Sequence, residues 1–533
     1  MNADCVSTYD CLSKCWTFWV PLLTGLIIGL VYSEFHEKLS MPDIFSYFKR
    51  RKRIPPGPLG LPVVGYSPFL GRKPAEKIVE LSKQYGNIMS FYLGNRLTVI
   101  LNDYDAVKAA YIDNAEAFTD RQPGFAHRVI SGSENGPLNG GTDVRVRGLT
   151  MANGEQWRQT RRFALTTLRN LGMGKSRLES RILEEVDYIC TSIRRTQSRP
   201  LEPNDLMYAG VANIMFAVCL DKRFDHNDPQ FKMAQDFVLI ALPTISNTGA
   251  LQLFPWLRHV PGKFKRFWSV FQFEVRRFRG ILKEHLKLHD NDRKDDEEVQ
   301  DYVDAFRVQQ KKEVEQGHQP NYFDDDELLV HINNFFGAGS ETTASTICWA
   351  LYFLVRHPEV RHKVQEEIDS TVGHDRPVTM EDKTNLKYVE AFCAEVARWG
   401  SVVPLSVARG VSQDVTIDGY FIPKGTYVMP NLWYIHRDPK YWGSDIGEFK
   451  PERFLDEQGR VTNPPAFMPF SIGKRSCLGE SLAKMEIFLF ITNIVQQFTV
   501  TLEAGYTLPP PGEYACGLTT RPPKFRVIFE SRR

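Results

Sequence analysis

Cysteine is sparse in this 533-residue chain: nine residues at 5, 11, 15, 190, 219, 348, 393, 477 and 516, with no C-x-x-C pair among them. That spacing excludes a dense disulfide scaffold and the usual zinc ribbons, and most of these thiols are expected to be small buried hydrophobes in a reducing compartment. Net charge is nearly absent too, with 66 basic against 64 acidic residues. The basic excess expected of a nucleic-acid binder is therefore missing. No internal repeat is present, and three familiar motifs are incomplete. Gly172-Met173-Gly174-Lys175-Ser176 ends like a P-loop but has Arg169 where the first glycine belongs, and Gly337-Ala338-Gly339 lacks the third glycine and the strand of a dinucleotide fingerprint. His285 and His289 are one helical turn apart, yet Leu286 stands where a zinc protease needs glutamate.

What is present is the composition of a globular protein, 42% hydrophobic and 24% charged, on a chain long enough to enclose a cofactor. Between Lys14 and Glu34 the sequence carries no charge. As a helix, residues 15–33 would span roughly 28 Å, which predicts a retained transmembrane anchor rather than a cleaved signal. Lys49-Arg50-Arg51-Lys52-Arg53 follows and belongs on the cytoplasmic side, leaving residues 1–14 lumenal. The prolines of Ile54-Pro55-Pro56-Gly57-Pro58-Leu59-Gly60-Leu61-Pro62 make the end of a stiff basic and proline-rich linker over 34–62, and 63–533 is read as the catalytic domain.

Helical periodicity predicts helices over 74–86, 153–170, 176–195, 263–289, 325–357, 358–371, 386–399 and 480–498. Strand-like runs occur at 89–101, 414–429 and 524–530. The fold class is mainly α with small β-sheets. The polar stretches 129–146 and 290–298 read as surface loops.

The most informative run is Phe470-Ser471-Ile472-Gly473-Lys474-Arg475-Ser476-Cys477-Leu478-Gly479-Glu480, leading into an apolar helix. A metal-ligating cysteine must be a thiolate, and Lys474, Arg475 and the positive helix end should lower its pKa. Alone, such a cysteine is usually structural. The joint spacing of Phe470, Gly473, Arg475, Cys477 and Gly479 argues otherwise.

This run resembles the haem-binding signature of the cytochrome P-450 superfamily without a departure. The resemblance implies a P-450-like fold with an N-terminal transmembrane helix, Cys477 as the axial haem-iron ligand and Arg475 as a propionate partner. A thiolate ligand favours O–O cleavage. Trp157 and Arg161, in Trp157-Arg158-Gln159-Thr160-Arg161-Arg162, resemble the propionate-binding helix of the microsomal drug- and steroid-oxidising branch. Arg121 and Arg409 fall where that branch has further propionate partners, with histidine more usual at the latter.

In Ala338-Gly339-Ser340-Glu341-Thr342-Thr343, an interior Gly-Ala-Gly costs about 1 kcal/mol per glycine, which suggests close approach or a local opening. A packing groove with back-bonded hydroxyls is the bland alternative. In the resembled family this pattern crosses the distal haem face, so Glu341 and Thr342 would handle protons. Glu395 and Arg398 would be an ordinary helical pair by themselves. The family joins them to an arginine from a P-E-R-F segment, here Arg453, as a fold-holding network.

By this resemblance the chain is expected to be a monooxygenase carrying non-covalent haem b. It would insert one oxygen atom from O2 into a steroid, fatty acid or xenobiotic. No C-x-x-C-H attachment and no flavin domain are present, so electrons would come from NADPH through a separate flavoprotein reductase, with cytochrome b5 a further partner. Arg158, Arg162 and Lys474 are docking candidates. The implied pocket is lined by Phe335, Ala338, Val403, Val407 and Leu518. The stretch 122–148 is longer than in vertebrate microsomal members, which leaves the substrate open. Phe254-Pro255-Trp256-Leu257 is a candidate lipid-dipping turn. The expected location is the endoplasmic reticulum membrane, with the catalytic part cytoplasmic. Two rivals are an isomerase or dehydratase on the same haem site, needing no reductase, and a haem- or lipid-binding protein without turnover.

Overall fold

The structure is a computed structural model that describes residues 54–131, 145–171, 176–238, 251–252, 254–292, 299–319 and 321–532. The expected lumenal segment, anchor, basic run and most of the linker lie outside the described residues, as do 132–144 of the long loop and Gly172–Lys175. Among the described residues, no helix is long and apolar enough to cross a membrane. The described residues within 55–418 and 422–532 form one large unit.

The large unit is mainly helical. Its principal helices are α1 Pro74–Tyr85, α2 Gly154–Asn170, α3 Ser176–Arg195, α4 Pro203–Leu220, α5 Lys263–Asp292, α6 Tyr302–Glu315, α7 Asp325–Arg356, α8 Pro358–Thr371, α9 Lys387–Gly400 and α10 Glu480–Gln497. Eight of these ten match the expected helical stretches, α4 and α6 being the additions. α4 is buried almost all round, including Met207, Val211, Ile214, Phe216 and Cys219. A helix apolar on every face shows no amphipathic period.

α7 is the spine. Asp324 caps it by accepting from Glu327 N at 2.7 Å, and Asp325, Asp326 and Glu327 complement its positive end. Pro358 then starts α8 one residue after the His357 cap, because the residue before a proline disfavours helix. α4 packs along α7, and α9 and α10 close the core around Trp349, Phe353 and Phe392.

The strands are short: β1 Ile88–Leu93, β2 Arg96–Leu101, β3 Arg409–Gly410, β4 Tyr427–Pro430, β5 Phe498–Thr501, β6 Ala515–Cys516, β7 Thr520–Arg521 and β8 Ile528–Ser531. The expected strand over 89–101 is two, broken at a turn where Gly94 takes φ +61°. The run 414–429 likewise splits into Val415–Ile417, Tyr420–Ile422 and β4. The main sheet runs β1-β2-β4-β3, with β2 parallel to β4 and Arg409 opposite Val428. That register places Arg409 beside the segment carrying Cys477.

Candidate functional site

Cys477 lies in the loop between Pro469 and α10. Its N–H donates to Phe470 O at 3.0 Å, and Ser476 N donates to Gly473 O at 2.9 Å, so the loop folds back on itself. Gly473 has φ +78°, and a Cβ there would lie 2.2 Å from Tyr111 O. Only glycine meets both conditions without displacing backbone. A Cβ at Gly479 would meet nothing within 4 Å, so that side of the loop faces open space.

Cys477 is accessible, yet it sits deep enough among protein atoms for desolvation to raise its thiol. Both hold for a sulfur facing an internal space. The expected depression is not found. Lys474 turns outward to Glu116, and Arg475 points at backbone carbonyls; a bond from Gly479 N–H and the charge of Arg161 lower the pKa less than desolvation raises it.

Four arginines gather around this loop. Arg475 is buried, donates from Nε to Thr119 O at 2.7 Å and from Nη2 to Ala152 O at 2.6 Å, and lies 3.8 Å over the Trp157 ring. Arg121, also buried, donates to Val407 O and, at 2.7 Å, to Ala408 O. Arg409 lies 3.4 Å over the Tyr111 ring and donates to Ile472 O, while Arg161 donates to Ser476 O at 2.7 Å. Burial first, and then mutual repulsion, pushes Arg475 down to about 8 and Arg121 to about 9. Burial lowers Arg409 to about 10, with Arg161 adding to it.

Buried cations are costly unless matched, typically by several kcal/mol for each ion. Among the described residues none of these four is ion-paired to a carboxylate, although Asp120 favours the charged form of Arg475. Arg475 Nη1, Arg121 Nε and Trp157 Nε1 are buried donors with no acceptor. The donor set is thus completed by a group that brings negative charge and acceptor oxygens beside Cys477. A porphyrin with two propionates and a thiolate-seeking iron fits it.

On α7, Thr342 donates to Ala338 O at 2.7 Å, the back-bonded arrangement, and Ala338 is exposed between half-buried Gly337 and Gly339. A Cβ on Gly339 would meet Met215 Sδ at 2.4 Å, so this glycine permits the close packing of α4 on α7. Glu341 is buried and turned aside: its Oε1 accepts from Thr519 Oγ1 and Arg521 Nη2, each at 2.6 Å. Phe335, half-buried and three residues before Ala338 on α7, meets the Tyr302 ring edge-on at 4.7 Å. Val403 and Val407 are half-buried and Leu518 is exposed.

Glu395 and Arg398 are both fully buried and joined twice, Nε to Oε2 at 2.6 Å and Nη2 to Oε1 at 2.7 Å. Arg453 approaches Glu395 Oε1 only to 3.7 Å, its Nη1 instead donating to Asp445 at 2.7 Å. Of the docking candidates, Arg158 and Lys474 are exposed but both pair with Glu116, and Arg162 is exposed. Trp256 is 61% exposed, while Phe254, Pro255 and Leu257 beside it are half-buried.

The sequence reading missed Asn153, Tyr111, Thr519 and Arg521. Asn153 occupies the N-cap of α2 without capping it; its amide instead accepts from Arg121 N at 2.6 Å and donates to Arg121 O at 2.7 Å. An Asn at a helix start reads as an ordinary cap, so nothing in the sequence marked it.

Comparison with known proteins agrees with this geometry. The cytochrome P450 family model matches residues 55–529. The chain belongs to the cytochrome P450 family. It is 35% identical over 507 residues to cytochrome P450 2U1 of Bos taurus, covering 90% of this chain and 89% of that protein. It is 35% identical over 502 residues to cytochrome P450 2C3 of Oryctolagus cuniculus, covering 92% and 97%. The vitamin D(3) 25-hydroxylase of Sus scrofa is 34% identical over 495 residues, covering 92% and 95%. This P450 is a haem-thiolate monooxygenase of the microsomal branch, using O2 and electrons from a reductase.

Proposed function

We propose that this P450 holds haem b through Cys477, with Arg121, Arg161, Arg409, Arg475 and Trp157 around the propionates, and hydroxylates a lipophilic substrate. The observation that carries this reading is the set of buried, unmatched guanidinium donors beside an accessible cysteine. When bound, the haem supplies the oxygen-activating chemistry. The chain's own part is to hold it, exclude water and deliver protons. Thr342, on the accessible face of α7, and Glu341 beside it are the proton-handling pair.

The substrate side is apolar: Ala338, Val403, Val407 and Leu518 offer shape and desolvation with few polar handles, and a steroid, fatty acid or xenobiotic suits such a lining. The relative named for 25-hydroxylation of vitamin D(3) supports the steroid-like end of that range. Phe335, half-buried and packed on Tyr302, completes that lining. NADPH through a flavoprotein reductase is the electron source, with cytochrome b5 as a second donor; Arg162 is the docking cation best free to serve. Residues 15–33 anchor the chain in the endoplasmic reticulum membrane, and exposed Trp256 meets lipid. Glu395, Arg398 and Arg453 hold the fold.

The deciding experiment is the carbon monoxide difference spectrum of the reduced protein, followed by turnover with reductase and NADPH. A red-shifted Soret band lost in Cys477→Ala, with product formed at the expense of NADPH, is the expected outcome. A band typical of histidine ligation overturns the ligand assignment, and product without NADPH consumption points to the isomerase alternative.

A further inference from the structure

Neighbours on α7, Glu341 and Thr342 face different surroundings. Thr342 stays on the accessible side, bonded back to Ala338 O, whereas the Glu341 side chain reaches Thr519, just before β7. Its Oε1 takes both Thr519 Oγ1 and Arg521 Nη2. The Arg521 guanidinium also lies 5.3 Å from the centre of the Tyr208 ring, and the Tyr208 hydroxyl is 2.7 Å from Ser345 Oγ, one turn beyond Glu341 on α7.

β7 is itself pinned. Thr520 N donates to Val402 O at 2.8 Å and Thr520 Oγ1 to Gly400 O at 2.7 Å, at the end of α9. The acid is therefore held by a strand anchored to the segment that carries Val403. The pair also differs from Glu395–Arg398, where two nitrogens meet two oxygens. In Glu341–Arg521 one nitrogen meets one oxygen already shared with a hydroxyl, a contact that fixes a direction more than it locks a fold.

We propose that Arg521, seconded by Thr519, is a positioning residue for oxygen activation that holds the Glu341 carboxylate in one orientation. This rests on the reading of Glu341 as a proton-handling group. Hydroxylation consumes R–H, O2, two electrons and two protons and yields R–OH and water. If protons arrive at the wrong place, the same two electrons and two protons leave with O2 as hydrogen peroxide, and R–H is released unchanged. The fraction of NADPH electrons ending in product therefore reads the positioning, which a merely structural role would not move in a protein that still binds haem and substrate.

The test uses the full chain reconstituted with reductase, comparing wild type with Glu341→Gln, Arg521→Met, Arg521→Lys and Thr519→Val, with lauric acid and testosterone as probe substrates. Arg521→Met is expected to keep the carbon monoxide spectrum, to lower product per NADPH by at least about threefold, and to raise hydrogen peroxide correspondingly. Arg521→Lys, which keeps one donor, should recover part of the loss, and Thr519→Val should show a smaller loss. If Glu341→Gln lowers product per NADPH while Arg521→Met matches wild type, the positioning role is overturned and the reading of Glu341 stands. If Glu341→Gln itself matches wild type, both fall. Should Arg521→Met fail to fold, unchanged coupling in Thr519→Val overturns the proposal.

Discussion

Replacing Arg398 by methionine removes the cation of the fully buried Glu395–Arg398 pair while keeping a side chain of similar reach. In the native protein Arg398 uses each of its three nitrogens: Nε and Nη2 on Glu395, Nη1 on His436 O at 2.8 Å, and Nη2 again on Glu448 O at 3.3 Å. After substitution Glu448 O still accepts from Trp399 Nε1 at 3.2 Å, and Glu395 keeps Lys450 N at 2.9 Å. The Glu395 carboxylate is left with Arg453 at 3.7 Å as its nearest cation, and His436 O loses this donor.

Breaking a buried pair from one side costs about 3–5 kcal/mol, against a total stability of about 5–15 kcal/mol for a folded protein. Arg398→Met should therefore lower the urea midpoint sharply and yield little haem-containing protein. Glu395→Gln, which strands the arginine instead, should cost a similar amount, and the double variant Glu395→Gln/Arg398→Met should cost clearly less than the sum, because neither charge is then unmatched. Urea titration followed by tryptophan fluorescence, alongside haem content, checks all three. A loss under about 1 kcal/mol in Arg398→Met would refute the reasoning, since the pair would then contribute no more than a surface ion pair.

Further expectations follow from other sites. Gly473→Ala should abolish haem loading while far-ultraviolet circular dichroism stays near wild type, since its Cβ meets Tyr111 O at φ +78°; normal loading would show that the loop tolerates a shift. Glu327→Gln should destabilise the segment after the long loop, because the buried carboxylate takes Gly148 N at 2.8 Å, Gln156 Nε2 at 2.9 Å and Arg145 Nη2 at 3.2 Å; faster proteolysis near residues 145–148 is the readout. Asp382 is held down to about 2 from its ordinary 3.8 by bonds from Arg376, so its stabilisation is present above 3.8 and lost as pH falls towards 2. The destabilisation by Asp382→Asn should shrink across that window in pH-dependent unfolding.

The long amphipathic helices were legible because a buried stripe and an exposed face leave a period in the sequence. α7 also carries its own start signal, Asp324 ahead of Asp325-Asp326-Glu327. α4 was not legible, because burial on every side erases the period, and the run 89–101 hid a turn because Gly94-Asn95 interrupts it by only two residues. At the site, the cysteine run was legible as a spacing. The partners of Glu341 were not: Thr519 and Arg521 lie 178 and 180 residues away, and no local pattern announces so distant a pairing.

Buried arginines occur in two settings here, and their bonding separates them. Arg398 is fully buried, yet each of its nitrogens donates to the protein and a carboxylate matches its charge, so nothing about it calls for a further group. Arg453 has an unbonded Nε, but Glu395 and Asp445 balance its charge. Arg121 and Arg475 differ on both counts. Each spends donors on backbone carbonyls, keeps one nitrogen aimed at no acceptor, is ion-paired to no carboxylate among the described residues, and has guanidinium groups as its strongest charged neighbours. Desolvation and repulsion then act together, which is why their proton affinity falls while the Glu395–Arg398 pair needs nothing more. An anion bound between them would cancel the repulsion and, by pairing with the guanidinium groups, offset the cost of their desolvation. Cofactor binding should therefore stabilise this region, and mutation of Arg475 should weaken haem retention far more than it weakens the apoprotein.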